Sequence, residues 1–359
     1  MPAAKRLPLC EYTPERVVLI KPSALGDIVQ TLPVLTALRR RYPRAHITWL
    51  VNRNYEELLR GHPDLNEVLP FDRGATRHGL WKATVGYARF LRDFRARRFD
   101  LVIDLQGLLR SGLFTAASAA PRRVGLSSAR EGAAWFYTDI VQVADFNAIH
   151  AVDRYWLVAE ELGAGSGPIE FRLPVRDAER AWVDEALGGC PRPWLAFGVG
   201  SRWVTKRWPP EHFAELARRA QARFGGTAVF VGGGDEAELA QATGAQLAGP
   251  WQNLSGQTTL PQLTALLARA DVMVANDTGP LHLAAALGRP IVAPYTCTRV
   301  ALNGPFGQAA RAVETRVHCA GSYIKTCPRL DCMAELTPDR LWPVLEDILL
   351  QWTNHSPPA

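Results

Sequence analysis

Lysine is scarce in this chain of 359 residues: Lys5, Lys21, Lys82, Lys206 and Lys325 are the only ones among 41 basic residues. Surface charge is therefore an arginine matter, and a lysine inside a turn motif is informative. Long apolar runs are missing too. None approaches the roughly 20 residues needed to span a bilayer, and the opening MPAAKRLPLCEYTPERVVLI is too polar and too broken by proline for a signal peptide. A cytoplasmic protein is the expectation. The six cysteines, Cys10, Cys190, Cys297, Cys319, Cys327 and Cys332, are few and scattered, which argues against a disulfide framework and for free thiols. DxD, HExxH and CxxC clusters are absent, so no metal site is expected, and chemistry that relies on Mg or Mn at a diphosphate is disfavoured. Neither GxxxxGK[ST] nor GxGxxG occurs, which weakens a P-loop enzyme and a dinucleotide oxidoreductase alike. Zinc-finger spacing, RNP-like aromatics and a helix-turn-helix pattern are also lacking, so nucleic acid is not an expected partner.

What is present is the balance of a soluble globular protein, with 47% hydrophobic and 21% charged residues. The length exceeds one ordinary core, so two domains are expected. The net charge of +6 favours an anionic partner, either a phosphorylated small molecule or an acidic membrane face.

Short apolar runs followed by amphipathic stretches recur along the chain. RVVLIK precedes a helix over Asp27 to Arg41, HITWLV one over Tyr55 to Arg60, and FDLVIDL one over Gly107 to Ala117. A second series follows the Gly/Pro-rich LGAGSGPIEFRLP: WLAFGVG, TAVFVGGG, ADVMVAND and PIVAPY, each but the last leading into a helix. Strands that are apolar throughout and alternate with helices specify a parallel sheet covered on both faces. The fold class is thus α/β, with two doubly wound, Rossmann-like domains facing across a cleft. Their expected limits are residues 1–164 and 177–336, joined by a linker over 165–176 and followed by a C-terminal helix and tail over 337–359. In such folds ligands bind beyond the carboxyl ends of strands, so the strand-to-helix turns carry the search.

The first such turn lies in VVLIKPSALGDIVQTLP. Gly26 lets backbone approach a ligand, and Asp27 reads either as a helix-start carboxylate favoured by the dipole or as a general base. The turn GVGSRWVTKRWPPEHF offers the hydroxyls of Ser201 and Thr205 with the positive charge of Lys206, a combination that suits phosphate; a solvated basic loop is the alternative. In VFVGGGDEAEL, an acid after three glycines either starts a helix or receives ribose hydroxyls. VANDTGPLHLAAALGRPIVAPY puts Asp277, Thr278 and Gly279 before Pro280, where free helix N–H groups attract phosphate, with His282 in the same turn. Arginines crowd the first half; those expected at strand ends, Arg110, Arg122 and Arg123, suit an acidic ligand through bidentate donors.

Taken in order, VLIKPSALGDIVQTLPVLTALRRRYP, DLQGLLRSG, GSRWVTKRWPPEHFAEL, NDTGPLHLAAALGRPIVAPY and CPRLDCMAELTPDRLW resemble glycosyltransferase family 9, the bacterial lipopolysaccharide heptosyltransferases. The likeness runs through nearly the whole chain. It implies a GT-B fold, an acceptor-binding first domain and a donor-binding second domain. It also implies metal-independent, inverting transfer of heptose from ADP-heptose to a lipopolysaccharide inner-core acceptor, Kdo-lipid A or heptosylated core, with no cofactor. On the family pattern Asp27 is the base, Lys206 meets the donor phosphate, and Asp277, Thr278, Gly279 and His282 cradle the nucleotide diphosphate. Glu236 falls where the family holds the ribose, and Ser201 matches a hydroxyl of the donor loop. Thr205 joins the donor-side candidates; Ser23, Gly26, Gln106, Arg110, Arg122 and Arg123 are the acceptor-side ones. A lipid-linked acceptor implies peripheral contact with the inner face of the inner membrane. Other readings are a family member using another nucleotide sugar, a non-catalytic sugar-nucleotide-binding protein, and an epimerase of similar fold that needs no acceptor.

Overall fold

The computed structural model describes residues 6–72 and 80–355, without the side chains of 80–85 and 355. Arg73 and Arg77, part of the basic crowding of the first half, lie outside the described residues. The chain divides into two compact units, Met1–Pro174 and Val175–Ala359.

The first unit opens with β1 (Arg16–Ile20), α1 (Leu25–Arg41), β2 (His46–Asn52), the short α2 (Glu56–Leu59) and β3 (Glu67–Phe71). It continues through α3 (Leu80–Ala96), β4 (Leu101–Asp104), α4 (Leu109–Ala117), β5 (Arg122–Leu126), β6 (Asp139–Val141) and α5 (Ala151–Glu161). Its six strands are all parallel, in the order β3-β2-β1-β4-β5-β6. Four of the five β1 residues are fully buried, as expected of a central strand covered on both faces. In α1 every residue from Ile28 to Leu38 is buried, Gln30, Thr31, Pro33 and Thr36 included, while Arg39, Arg40 and Arg41 sit at the end where the helix dipole favours cations. An aromatic knot of Phe71, Phe90, Phe94 and Phe114 fills one side of the sheet, with Phe71 and Phe114 centroids 4.9 Å apart.

The second unit begins with α6 (Asp177–Leu187) and runs β7 (Trp194–Gly198), α7 (Pro210–Phe224), β8 (Thr227–Phe230), α8 (Ala237–Gly244) and β9 (Trp251–Asn253). It goes on through α9 (Leu260–Arg269), β10 (Val272–Ala275), α10 (Gly279–Ala286), β11 (Ile291–Tyr295), α11 (Val300–Asn303), β12 (Ala312–Glu314), α12 (Asp331–Glu335) and α13 (Pro338–His355). The sheet order, β12-β11-β10-β7-β8-β9, is again all parallel and repeats the connectivity of the first sheet. The last helix belongs to this unit. Leu341, Leu345, Ile348 and Leu349 are buried in one core with Trp208 and Phe213, each such side chain contributing about 1.5–3 kcal/mol.

The segment expected as a linker is tied to the first unit over its early part. Glu170 pairs with Arg40 at 2.6 Å, Arg172 reaches Asp64 at 3.3 Å, and the Arg172 carbonyl meets His62 Nε2 at 2.9 Å. In each sheet the strand order reverses between the first and fourth strands, β1/β4 and β7/β10. These are the points where open α/β sheets bind ligands.

Candidate functional site

Each switch point carries a cluster of charged groups. Beyond β10, Asp277 is buried and receives four partners. Lys206 Nζ lies 2.5 Å from Oδ2, Thr298 donates to the same oxygen at 2.7 Å, and His282 Nε2 and the Tyr295 hydroxyl meet Oδ1 at 3.1 and 3.2 Å. Burial alone would push this carboxyl up. The His282 hydrogen bond and the Lys206 ammonium outweigh it, and hold Asp277 well below the usual carboxylate range. An ionised Asp277 makes His282 Nε2 the donor in their contact. Tyr295, facing that charge from full burial, is pushed well above its ordinary value.

Lys206 ends a 3-10 turn, Val204–Lys206, beyond β7. Its ammonium has three donors, and the two contacts to Asp277, Oδ2 and the carbonyl at 3.4 Å, leave one for a ligand. It also lies 4.7 Å from the Trp203 ring centroid, a cation–π contact. Asn276 locks this loop to β10: its amide donates to the carbonyls of Val199 and Gly200 at 2.9 and 3.1 Å and its oxygen accepts from Trp208 N at 3.0 Å. Thr278 is the N-cap of α10 with no side-chain cap bond, and Pro280 sits in the first turn, where an N–H would have no acceptor within the helix in any case. Gly279 opens that helix. Ser201 is buried in the β7 loop, its carbonyl accepting from Arg207 at 2.8 Å.

Glu236 closes the turn after β8. Its Oε2 accepts from Gly233 N at 3.0 Å, and burial pushes the carboxyl upward, against the pull of that hydrogen bond. A Cβ on Gly200 would stand 2.0 Å from Glu236 Oε1, so the bare backbone of the β7 loop is what lets the acid lie between the two turns.

At the switch point of the first sheet, Asp27 sits in the first turn of α1, half-buried, with Oδ2 accepting from Ala24 N at 3.0 Å. Ser23 and Gly26 flank it in the same turn, both partly exposed. Lys21, at the end of β1, is buried and donates to the Leu105 carbonyl at 2.9 Å and the Tyr155 hydroxyl at 2.8 Å. Burial works against its charge, but Tyr155 and Asp27 outweigh that and leave its value raised. At the end of β4, the buried Asp104 accepts from Gln106 N and Gly107 N at 2.9 and 3.1 Å and from the Tyr137 hydroxyl at 2.8 Å, fixing the loop that follows. Burial pushes Asp104 up despite these donors. Among the described residues, Gln106 Oε1 is buried without a hydrogen-bond partner, which leaves an acceptor aimed at no protein group. Arg110 is exposed in the first turn of α4.

Three expectations are corrected. Arg122 and Arg123 start β5, at the edge of the sheet opposite the switch point, and both are consumed by structure. Arg122 is buried against Asp139, with contacts of 3.0 and 2.8 Å and a third donor to the Leu7 carbonyl at 2.7 Å; Arg123 donates to the carbonyls of Phe136 and Ala120. Thr205 turns inward, donating to the Ile324 carbonyl at 2.6 Å with Cys297 Sγ 3.3 Å from the same oxygen, so it positions its neighbour Lys206 rather than facing phosphate. The partners the sequence did not reveal are Tyr155, Tyr295 and Thr298. Lys21 and Asn276 stood inside recognised motifs, and the scarcity of lysine was the available signal for the former.

Comparison with known proteins agrees with this fold. The description "Glycosyltransferase family 9 (heptosyltransferase)" matches residues 87–332. Lipopolysaccharide heptosyltransferase 1 of Pseudomonas aeruginosa is 33% identical, over 93% of this chain and 98% of that one. Among solved structures, a glycosyl transferase family 9 protein of Veillonella parvula superposes with a TM-score of 0.80 at 25% identity, covering 94% of this chain and 97% of that one. The ADP-heptose lps heptosyltransferase II of Escherichia coli superposes with a TM-score of 0.75 at 26% identity, covering 94% and 99%. Two Rossmann-like sheets, turn clusters at both switch points and a match along almost the full length lead to one assignment: the chain belongs to glycosyltransferase family 9, the heptosyltransferases.

Proposed function

We propose that this protein transfers a heptose from ADP-heptose to a hydroxyl of a lipopolysaccharide inner-core acceptor, in one displacement that inverts the anomeric centre. Asp27 takes the proton of the acceptor hydroxyl, whose oxygen attacks the anomeric carbon. The bond from that carbon to the diphosphate breaks on the opposite face, and ADP leaves. Charge growing on the leaving phosphate is met by Lys206 and the N-terminal amides of α10, an effect commonly worth a few kcal/mol per well-placed donor.

The observation that carries this reading is what each switch point bears. One bears a half-buried carboxylate beside a buried lysine, Asp27 with Lys21; the other bears a lysine held by a buried carboxylate, Lys206 with Asp277. A base on one sheet and a phosphate-binding cation on the other are what transfer from a sugar nucleotide requires. Asp277, oriented by His282 and Thr298, aims Lys206; Glu236 receives the ribose hydroxyls; Gln106 Oε1 and Arg110 contact the acceptor, with Ser23 and Gly26 shaping the turn around Asp27. The activity takes place at the cytoplasmic face of the inner membrane through peripheral contact, in keeping with the lack, among the described residues, of a helix long and apolar enough to cross a bilayer.

A mass-spectrometric screen tests it, offering ADP-heptose, UDP-sugars and GDP-sugars with Kdo-lipid A or heptosylated core. Heptose added to one of these acceptors from the ADP donor alone supports the reading. Transfer from a UDP- or GDP-sugar only, or product formed without acceptor, overturns it.

A further inference from the structure

Behind the turn that carries Lys206 lies a cavity of about 40 Å³, room for a molecule the size of water or little larger. Four of the six cysteines line it, Cys297, Cys319, Cys327 and Cys332, together with Thr205 and Thr296. All four are free thiols. Cys297 follows β11, Cys319 and Cys327 lie in the long connection from β12, and Cys332 is in the first turn of α12. Separate stretches of chain thus deliver thiols to one small space. Among the described residues no group of three or more His, Cys, Asp or Glu is arranged to hold a metal ion, so the thiols share a cavity without converging as ligands.

The four sulfurs are not equivalent. Backbone N–H groups of Leu330 and Arg329 hold the Cys327 thiol below its ordinary value. Burial, with Cys319, Cys327 and Cys297 close by, pushes Cys332 up to about 11. A thiol inclined to ionise, sharing a cavity with further thiols, is the arrangement in which one sulfur attacks and another resolves.

The cavity wall is also the support of the Lys206 turn. Thr205, the preceding residue, donates its one hydroxyl proton to the Ile324 carbonyl at 2.6 Å, has Cys297 Sγ 3.3 Å from the same oxygen, and accepts at its own carbonyl from Thr296 Oγ1. The ammonium groups of Lys206 and Lys325 both lie over the Trp203 ring, 4.7 and 5.2 Å from its centroid. Movement of the segment from Ser322 to Cys327 is therefore felt at Lys206.

We propose that this cavity is a thiol-oxidation site in which Cys327 reacts first, Cys319 or Cys332 closes a disulfide, and the bridge pulls the Ile324 carbonyl from Thr205 and misplaces Lys206. With hydrogen peroxide as the oxidant, the Cys327 thiolate attacks one peroxide oxygen. The O–O bond breaks, hydroxide leaves and takes up a proton to become water, and a sulfenic acid remains. The resolving thiol attacks that sulfur, the S–O bond breaks, and a second water leaves with the proton of the thiol. Two thiols have given up two electrons and the peroxide has been reduced to water. The effect on transfer rests on the donor role proposed for Lys206; the oxidation itself does not.

The full-length protein, reduced and then exposed to hydrogen peroxide, tests this by mass-spectrometric disulfide mapping, by amide exchange across residues 203–208, and by transfer assays before and after added dithiothreitol. The expected result is a disulfide from Cys327 to Cys319 or Cys332, faster exchange at 203–208, and a loss of transfer on the order of 10- to 100-fold that reductant restores. Cys327→Ser should form no such bridge and keep its activity in peroxide, whereas Cys10→Ser should behave as the parent. Should Cys327→Ser not fold, the double variant Cys319→Ser/Cys332→Ser should stop at a Cys327 sulfenic acid that dimedone traps. Oxidation confined to Cys10 and Cys190, a bridge that leaves exchange at 203–208 unchanged, or stoichiometric zinc or iron bound by these thiols in the isolated protein would each overturn the proposal. A reduced protein inactive with every donor would sink the functional reading, while mapping and exchange would still decide the thiol site.

Discussion

Lys206 Nζ lies 2.5 Å from Asp277 Oδ2 across 71 residues of sequence, and the carboxylate of that pair is one of the most heavily partnered groups in the protein. The pair fixes where a mobile side chain points its charge. Replacing Lys206 with Ala should lower transfer by roughly 100-fold and raise the donor KM, since a leaving diphosphate loses its cation. Steady-state kinetics with varied donor check this, and an unchanged KM and kcat would reject the assignment.

Asp277→Asn should act on stability as well. The half-buried Lys206 ammonium loses its counter-charge, read as a lower denaturant midpoint. The sign with pH follows from the depressed folded value of Asp277. The native state holds fewer protons than the unfolded chain, whose aspartates titrate near about 3.9. The stabilisation is therefore complete above about pH 4 and is lost as pH falls through the folded value. Acid-unfolding curves of the variant should lack that component of the slope.

Asp27→Asn keeps the shape of the first turn of α1 and removes the base. Turnover should fall by about 10²–10⁴-fold while calorimetric affinity for ADP stays that of the parent. Equal losses in both would instead make Asp27 a structural helix-start residue.

Gly200→Ala separates ribose binding from folding. The new Cβ would collide with the Glu236 carboxylate, the far end of a flexible side chain, so the acid swings away and stability changes little. Donor KM should rise several-fold with kcat nearly kept; a lowered Tm with unchanged KM would argue against the ribose role.

Burial raises Glu236 above its ordinary value of 4.5. Only the ionised carboxylate accepts from both ribose hydroxyls, so donor affinity should weaken as pH falls through that raised value. Glu236→Gln should bind more weakly and show a flat profile over the same range. A parent enzyme with equally flat affinity would refute the assignment.

Much of this was legible in the chain itself. Strands apolar on both faces, such as Val17–Ile20 and Val272–Ala275, can only be central strands of a covered parallel sheet, and glycine or a short polar run beyond them marks the turns that carry chemistry. Helix limits shifted by a residue or two, and by four at the end of α13, and several edge strands, β3, β6, β9 and β12, were not visible because edge positions lack a full apolar run.

Local pattern, set by burial at successive residues, is what the sequence by itself determined: the two-sheet α/β class, the position of Asp27 in a helix's first turn, the NDTG turn, and the lysine in the turn after β7. Only the tertiary structure decided partners. Arg122 and Arg123 look like ligand arginines until their strand is seen to begin, rather than end, at them, with Asp139 waiting there. Thr205 looks like a phosphate hydroxyl until the Ile324 carbonyl, 119 residues away, is found to accept its proton. Cys297 and Cys327 share a cavity for the same reason that Lys206 meets Asp277. Packing sheet strands side by side brings together side chains whose separation in sequence carries no record of their distance in space.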